Sequence, residues 1–380
     1  MNFELTKEQK MIRDLARDYA TAEIEPKAEE VDKTARFPIE TFHKLGELGL
    51  MGLPIPEDYG GGGADTISYA LAVEEIGRAC GSTGLSYAAH ISLGCSPLYY
   101  FGTERQKREY LIPLAQGTAL GSFGLTEPNA GSDAGGTQTR AILDGEEWVI
   151  NGSKCFITNA GYARSVVITA VTGTKQGTRS ISAFIVPASS KGFSVGSTYD
   201  KLGMRGSNTV ELILEDVRVP YDHLLGKENE GFKQFLVTLD GGRISIGALS
   251  VGIARAAYEK ALAYAKTRMQ FGQSISKFQA IQFKLADMAM YIELARNQVL
   301  KAAWLKDQHR PFTKEAAMAK LFASEICMRT CDQAVQILGG YGYMRDYHVE
   351  RFFRDAKLVE IGEGTSEVQR LVIARQIGCE

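Results

Sequence analysis

The first third of the chain repeats its apolar residues at the three- and four-residue spacing of amphipathic helices. Thr6 and Gln9 form a capping-box pair that predicts a helix start, and Pro26 predicts the end of that helix. The helical pattern returns around residues 42–50, 68–78 and 105–115. It is interrupted by Pro54, Pro56 and the glycine run 60–63. The sequence therefore predicts an N-terminal domain made of helices.

The pattern changes near residue 120 to short runs that are rich in β-branched residues. These runs cover residues 148–150, 166–171, 181–186, 210–214 and 217–219. Turn residues separate them, among them Asn151-Gly152, Thr172-Gly173 and Gly203. Since no helical stretch lies between the runs, an antiparallel β-sandwich or barrel is favoured over a parallel sheet.

Helical periodicity resumes at Gly231 and continues through the last part of the chain. The long stretches cover residues 243–268, 277–308, 313–338 and 365–377, and they predict a four-helix bundle. The expected fold class is α+β multidomain, and a length of 380 residues suits two or three domains. The predicted domains are an N-terminal all-α domain at 1–120, a central antiparallel β domain at 121–230 and a C-terminal helical bundle at 231–380.

Composition and charge narrow the classes of function. A formal net charge of -2 gives no electrostatic basis for binding nucleic acid or an anionic membrane. The first residues, Met1 to Leu5, lack a basic segment followed by an apolar one, and no uninterrupted apolar run has membrane-spanning length. The expected location is the cytoplasm, or the mitochondrial matrix for a processed form.

The cysteines and glycines argue against several kinds of site. Six scattered cysteines favour reduced thiols over a disulfide framework. Cys327 and Cys331 are spaced to share a helix face, but no histidine or second cysteine pair accompanies them with ligand spacing, so no metal site is expected. No Gly-x-Gly-x-x-Gly follows a strand and no P-loop lysine motif is present, so the commonest nucleotide-binding loops are not expected.

The segment Gly362-Glu363-Gly364-Thr365 carries the strongest candidate for chemistry. Glycines flank Glu363 on both sides, which leaves the carboxylate without large neighbours and lets the backbone turn tightly. Ser366 and Gln369 have capping-box spacing and predict a helix start directly after this turn. The positive end of that helix would favour the ionised form of Glu363. The motif alone fits either a general base or a solvated loop glutamate.

Four other segments combine polar, aromatic and glycine residues near predicted turns: 123–133, 151–159, 268–279 and 336–343. The first suits either ligand binding or a polar turn. Phe156 is either a core residue or a stacking surface for a ring. Arg268 suits a pyrophosphate or an interhelical salt bridge. The glycines at 339, 340 and 342 exceed what a helix C-cap needs and suit close approach of the backbone to a ligand.

In this order and spacing, the motifs resemble those of the acyl-CoA dehydrogenase family along the whole chain. The matching segments are Leu5-Thr6, Tyr59-Gly60-Gly61, Thr126-Glu127-Pro128, Asn151-Gly152-Ser153-Lys154 and Glu363-Gly364-Thr365. The helical, β, helical order is also that family's architecture. The resemblance implies FAD as cofactor and the α,β-dehydrogenation of an acyl-CoA thioester to its trans-2-enoyl form. It further implies that Glu363 removes the α-proton while the β-hydrogen leaves as hydride to flavin N5.

The resemblance also assigns binding residues. Residues 123–132 would line the flavin, with Phe156 and Thr158 on its other side, and residues 268–279 and 336–340 would reach the FAD of a neighbouring subunit. The implied FAD-binding residues are Phe123, Leu125, Thr126, Gly131, Ser132, Phe156, Thr158, Arg268, Phe271, Gln279, Gln336, Gly339, Gly340, Thr365 and Glu367. The implied substrate contacts are Ser132, Asp240, Arg243 and Gly364.

A shared FAD site implies at least a dimer, and the family is usually a homotetramer, a dimer of dimers. The family's usual electron acceptor is an electron-transferring flavoprotein. Residues 129–133 and 238–243 look most like those of short-chain, butyryl-CoA-type enzymes.

The chain departs from the family pattern at Gly362, where tyrosine is usual. A subgroup that acts on isovaleryl-CoA shares the glycine but carries alanine at the base position, and it takes its glutamate from the position of Gly242 instead. Of the two alternative bases, this chain has only Glu363. The alternatives kept open are a short branched-chain dehydrogenase, an acyl-CoA oxidase and, more remotely, a non-catalytic flavin-binding assembly protein.

Overall fold

The computed structural model of the chain describes residues 4–173 and 177–379. It confirms the predicted order of a helical domain, a β domain and a second helical domain. Residues 1–3, which entered the prediction about the N-terminal leader, lie outside the described ranges.

The N-terminal domain consists of short helices that pack around a shared apolar core. As predicted, Thr6 and Gln9 form a capping box at the start of the first helix. The α-helical part ends at Tyr19, and a π-helical turn at Ala20–Ile24 and a 3₁₀ turn at Glu25–Lys27, which contains Pro26, continue from it to the second helix. The helices are α1 Lys7–Tyr19, α2 Ala28–Thr34, α3 Ile39–Glu47, α4 Thr66–Ala79, α5 Gly81–Ala89, α6 Ser96–Phe101, α7 Glu104–Gln106 and α8 Ile112–Ala115.

The central domain is built on one eight-stranded sheet in the order β6-β7-β3-β2-β4-β5-β8, with β1 beside β4. Its pairs are antiparallel apart from β1 with β4 and a single parallel bridge between β2 and β4. The strands are β1 Leu120–Gly124, β2 Arg140–Asp144, β3 Glu147–Thr158, β4 Ala163–Val171, β5 Ile181–Pro187, β6 Phe193–Thr198, β7 Thr209–Pro220 and β8 Leu224–Leu225.

The structure corrects one predicted turn in this domain. Asn151-Gly152 does not separate two strands but lies inside β3, where the register with β7 shifts between Ile150 and Gly152. The side chain of Asn151 exchanges hydrogen bonds with Asp216 of β7, whose φ is 49°. Matching irregularities on the two strands therefore replace the expected turn, and the runs at 210–214 and 217–219 form one strand.

The C-terminal domain consists mainly of long helices, and a small β-hairpin lies between the first and the second of them. The first helix begins at Gly231, where the helical pattern was predicted to resume, and so starts twelve residues before the long stretch predicted at 243–268. The helix at 349–361 was not predicted. The elements are α9 Gly231–Thr267, β9 Met269–Gln270, β10 Gln273–Ser274, α10 Gln279–Asp307, α11 Thr313–Leu338, α12 Val349–Ile361 and α13 Ser366–Gln376.

Helix α9 forms the central axis of the helical core. One window of it has a mean hydropathy of 1.3, enough by length and composition for a membrane span, but 72% of that window is buried inside the protein. It packs on α4 so closely that a β-carbon at Gly252 would lie 2.3 Å from the Glu74 carbonyl oxygen. The two helical domains therefore share one core through direct backbone contact. The six cysteines are free thiols, as predicted.

Candidate active site

Glu363 lies on a strained turn between α12 and α13. Its φ is 53° and that of Gly364 is 97°, so two consecutive residues adopt left-handed backbone conformations. For a residue with a β-carbon this conformation costs on the order of 1–3 kcal/mol and persists only where the surroundings impose it. Such strain is concentrated at functional sites in proteins.

The cap of the following helix differs from the prediction by one residue. Thr365, not Ser366, is the N-cap of α13, and its hydroxyl accepts a hydrogen bond from the Val368 N–H at 3.3 Å. Gln369 does not complete a capping box. Its side-chain amide donates instead to the carbonyls of Glu363 at 3.2 Å and Gly364 at 3.0 Å. Of the two residues that the sequence assigned to helix capping, Gln369 instead fixes the turn that carries Glu363, and Ser366 is not the cap.

The Glu363 carboxylate is buried against bare backbone. A β-carbon at Gly242 of α9 would lie only 1.9 Å from Glu363 Oε2. Within the described ranges, Oε2 is closed to solvent and has no hydrogen-bond partner. Burial raises the pKa of the carboxyl to about 7, while the charges of Lys320 and Arg243 act in the opposite direction. A carboxylate with this pKa can accept or release a proton near neutral pH.

Two buried cations stand near this carboxylate. The fully buried Lys320 of α11 donates from Nζ to the Gly364 carbonyl at 2.7 Å. Burial lowers the pKa of Lys320 to about 8. Arg243, also buried, donates to the Asp240 carboxylate, whose other oxygen accepts from Thr313 Oγ1 at 2.6 Å. The predicted residues Glu363, Gly364, Asp240 and Arg243 therefore come together around α9, α11 and the turn.

Lys320 was missed by the sequence analysis, although the sequence held a signal for it. It lies on a helix face lined with small buried residues, namely Ala316, Ala317, Ala319, Ala323 and Ser324. A lysine on such a face is unusual, because an ammonium is costly to bury.

A second group of predicted residues lies on the β domain. Phe123 is in β1, Leu125 and Thr126 follow it, and the Thr126 carbonyl accepts from the Cys155 N–H at 2.8 Å. This bond fixes Thr126 beside the end of β3, which carries Phe156 and Thr158. Phe156 has a φ of 59° and a side chain that is 63% exposed. An exposed aromatic next to two threonines fits a planar ligand with polar edges.

A buried ion pair between Lys154 and Glu127 fixes this loop, and it was not predicted from the sequence. Lys154 Nζ lies 2.6 Å from Glu127 Oε1 and donates to the Leu125 carbonyl at 3.2 Å. Glu127 also accepts from the backbone N–H of Gln138 at 2.6 Å and of Thr139 at 3.1 Å. Burial lowers the pKa of Lys154 to about 8. Gly131 and Ser132, further along the same loop, are exposed.

A third group lines an open cleft in the C-terminal domain. Arg268, Gly339 and Gly340 are in its walls, and the Arg268 guanidinium lies over the Tyr341 ring with its carbon 5.2 Å from the ring centroid. Phe271 is 92% exposed and contacts Phe278 edge to face. The remaining predicted residues are also exposed: Gln279 at the start of α10, Gln336 near the end of α11, and Glu367 in the first turn of α13.

Comparison with protein families identifies all three parts of the chain. Residues 6–118 match the acyl-CoA dehydrogenase N-terminal domain, residues 122–217 the middle domain and residues 229–378 the C-terminal domain.

Individual relatives are similar over the full length. The chain is 71% identical over 378 residues to a probable acyl-CoA dehydrogenase of Bacillus subtilis, covering 99% of this chain and 100% of the relative. It is 52% identical to a short-chain specific acyl-CoA dehydrogenase of Clostridium acetobutylicum, again covering 99% and 100%. The solved structure of butyryl-CoA dehydrogenase from Megasphaera elsdenii superposes with a TM-score of 0.98 at 46% identity, covering 99% of this chain and 100% of that one.

Proposed function

The chain belongs to the acyl-CoA dehydrogenase family, and we propose that it oxidises a short-chain acyl-CoA thioester to its trans-2-enoyl-CoA, with Glu363 as the base that removes the α-proton. One observation carries the assignment of the base. The Glu363 carboxylate is buried on a left-handed turn, its Oε2 has no hydrogen-bond partner among the described residues, and its pKa is raised to about 7. Burial and the free oxygen are what a proton acceptor at neutral pH requires.

The chemistry needs more than a base. The α-proton of a thioester becomes acidic only when the carbonyl is polarised, so hydrogen-bond donors must meet the oxygen on which charge develops. We assign one of these donors to the backbone N–H of Glu363, which the turn holds beside the carboxylate. Gly242 is buried and Glu363 Oε2 is closed to solvent, so the proton acceptor is shielded from bulk water.

We propose FAD as the cofactor that completes the reaction. The exposed Phe156, beside Thr126 and Thr158, offers the aromatic and polar surface that an isoalloxazine ring requires. When bound, FAD supplies the acceptor for the β-hydrogen, which leaves the substrate as a hydride. Arg268, Gly339 and Gly340 line a cleft whose cation and open glycine backbone suit the pyrophosphate part of FAD from a neighbouring subunit. Phe123, Leu125, Gly131, Ser132, Phe271, Gln279, Gln336, Thr365 and Glu367 complete the proposed FAD site.

The substrate contacts are proposed on the same basis. Ser132, Asp240, Arg243 and Gly364 are assigned to the CoA and thioester part of the substrate. Asp240 is already paired with Arg243 and Thr313, and the Arg243 Nε has no partner among the described residues, so Arg243 retains a donor for the ligand.

The close approach of Gly242 to Glu363 predicts that alanine substitutions at Gly242 and at the neighbouring Gly241 have different effects on the reaction rate. Alanine at Gly242 would push the carboxylate out of its position, because its β-carbon would overlap Oε2. We expect Gly242→Ala to lower the rate of flavin reduction about 100-fold, the usual effect of displacing a catalytic group by about 1 Å. Stopped-flow reduction by butyryl-CoA measures this rate.

Gly241→Ala is the matched control. Gly241 is in α9 next to Gly242, and among the described residues a β-carbon there would meet only Lys306 Nζ of α10, at 3.4 Å. Replacing a helical glycine there stabilises the helix by about 0.5–1 kcal/mol and leaves the rate unchanged. Equal rates for the two variants would contradict the proposed position of the base.

The pKa of Glu363 sets the expected pH dependence. The base must be ionised, so the rate of flavin reduction rises as pH increases through the pKa of the carboxyl. Since burial raises that pKa to about 7, the rising limb of the profile has its midpoint near pH 7. Stopped-flow rates between about pH 5.5 and 8.5 test this, and a rate that does not change across this range would be inconsistent with Glu363 as a buried base.

Turnover with a panel of substrates and acceptors tests the proposed function as a whole. Butyryl-CoA should be oxidised faster than octanoyl-CoA or isovaleryl-CoA, and turnover should require an electron-transferring flavoprotein. Preference for isovaleryl-CoA would identify a branched-chain enzyme, and rapid turnover in air would identify an oxidase. No reaction with any thioester would support the non-catalytic alternative.

The assembly and location are part of the proposal. Exposed large apolar residues on α10 and the exposed Phe271 suit burial against other subunits in a homotetramer, a dimer of dimers. We assign the protein to the cytoplasm, or to the mitochondrial matrix for a processed form.

A further inference from the structure

Lys320 is a buried cation for which the proposed reaction has so far no use. Its side chain is fully buried on α11, and its Nζ donates to the carbonyl of Gly364 at 2.7 Å. Burying an ammonium is unfavourable unless nearby acceptors or negative charges compensate. The compensation has to come from the turn and the charges that surround the ammonium.

The Gly364 carbonyl is held from two helices at once. It accepts from Lys320 Nζ of α11 and, at 3.0 Å, from Gln369 Nε2 of α13, which uses both acceptor directions of a carbonyl oxygen. Gln369 is itself fully buried. These bonds hold the carbonyl next to two residues with positive φ, and they oppose relaxation of the strained turn.

The charges around Lys320 come from the turn and from three of the helices that pack against α11. Glu363 from the turn, Glu360 from α12 and Glu367 from α13 are acidic, and Arg243 from α9 is basic. Of these charges, Glu363 has the largest effect on the pKa of Lys320. The interaction is reciprocal, because the charge of Lys320 favours the ionised form of the Glu363 carboxyl. Among these groups, only Lys320 combines a hydrogen bond to the turn with a positive charge that favours the base.

We propose that Lys320 is a positioning residue for the base: its hydrogen bond to the Gly364 carbonyl fixes the turn that presents Glu363, and its buried positive charge keeps Glu363 in the proton-accepting form. This inference rests on the proposed function, because it gives Lys320 a role only if Glu363 is the base. Lys320 itself does not contact the reacting atoms.

Three variants separate the hydrogen bond from the charge. Lys320→Met removes both, Lys320→Gln keeps a hydrogen-bond donor but removes the charge, and Gln369→Met removes the neutral donor on the same carbonyl. The pH profile of flavin reduction by butyryl-CoA is the first readout. We expect both Lys320 variants to move its midpoint up by about one pH unit, equivalent to an about tenfold loss of ionised Glu363 at lower pH. Gln369→Met should lower the rate without moving the midpoint.

Hydrogen exchange of peptides covering residues 358–369 is the second readout and does not depend on activity. Exchange should accelerate in Lys320→Met and Gln369→Met and stay close to the wild-type level in Lys320→Gln. An unchanged midpoint in Lys320→Gln, at whatever rate, would overturn the role of the charge, and unchanged exchange in Lys320→Met would overturn the role in positioning. If no thioester reduces the flavin of the wild-type protein, the proposed function fails, while the exchange data still decide whether Lys320 holds the turn.

Discussion

We expect Glu363→Gln to lower the rate of flavin reduction by about 100- to 10,000-fold, the range that removal of a general base produces. Glutamine keeps the shape of the side chain but its amide accepts no proton near neutral pH. Because Oε2 has no hydrogen-bond partner among the described residues, the substitution breaks no bond of the fold. The variant is expected to fold, to retain flavin and to bind butyryl-CoA. Stopped-flow reduction at pH 8, with flavin content measured beforehand, tests this.

Glu325→Gln provides the matched control for this substitution. Glu325 lies on the surface of α11 and pairs with Arg370 at 2.7 Å, and such exposed pairs contribute about 0–1 kcal/mol. Its rate should stay close to that of the wild type. A Glu363→Gln protein that kept more than about a tenth of the wild-type rate would show that another group removes the proton.

Lys154→Met is expected to have the largest effect on stability. It leaves the Glu127 carboxylate buried without its cation, and breaking a buried pair in this way costs about 3–5 kcal/mol. The Leu125 carbonyl loses a donor as well, so the loop that carries Thr126 loosens and flavin is retained less well. Chemical denaturation followed by far-UV circular dichroism measures the free energy of unfolding, and gel filtration measures flavin retention.

A double variant and a surface variant make this prediction specific. Lys154→Met combined with Glu127→Gln removes both charges, while the amide oxygen of the glutamine can still accept from the backbone N–H groups of Gln138 and Thr139, so the double variant should recover part of the lost stability. Arg218→Met breaks exposed pairs with Asp144 and Glu147 and should change the free energy of unfolding by less than about 1 kcal/mol. A Lys154→Met protein as stable as Arg218→Met would contradict the importance of the pair.

Sequence reasoning predicted those elements whose signal is local. The capping box at Thr6 and the long amphipathic helices α10 and α11 are of this kind, and the structure confirms them within about two residues. The errors fall where packing overrides local preference. Asn151-Gly152 favours a turn in isolation, but pairing with β7 incorporates it into a strand. The first turns of α9 contain Gly241 and Gly242, which weaken a helix signal although the helix continues through them.

In the candidate site too, some residues could be predicted from the sequence and others could be found only from the structure. Glu363 and the segments at 123–132 and 336–340 stand out in the sequence because glycines and polar residues surround them. The contacts that hold these residues in place leave no such signal in the sequence. The contact of Gly242 with Glu363, the bond from Lys320 to Gly364 and the pair of Lys154 with Glu127 join residues far apart in the chain. Only the packing of helices and strands reveals these contacts, because no local pattern encodes them.

The most direct test of the proposed function is an anaerobic titration of the purified protein with butyryl-CoA, followed by the absorbance of the oxidised flavin. We predict that the flavin band bleaches at stoichiometric thioester and that trans-2-enoyl-CoA is formed in equal amount. That result would establish bound flavin and the dehydrogenation half-reaction together. A protein that stays colourless after FAD is added, or a flavin band that no acyl-CoA bleaches, would contradict the proposal that this chain is a working dehydrogenase.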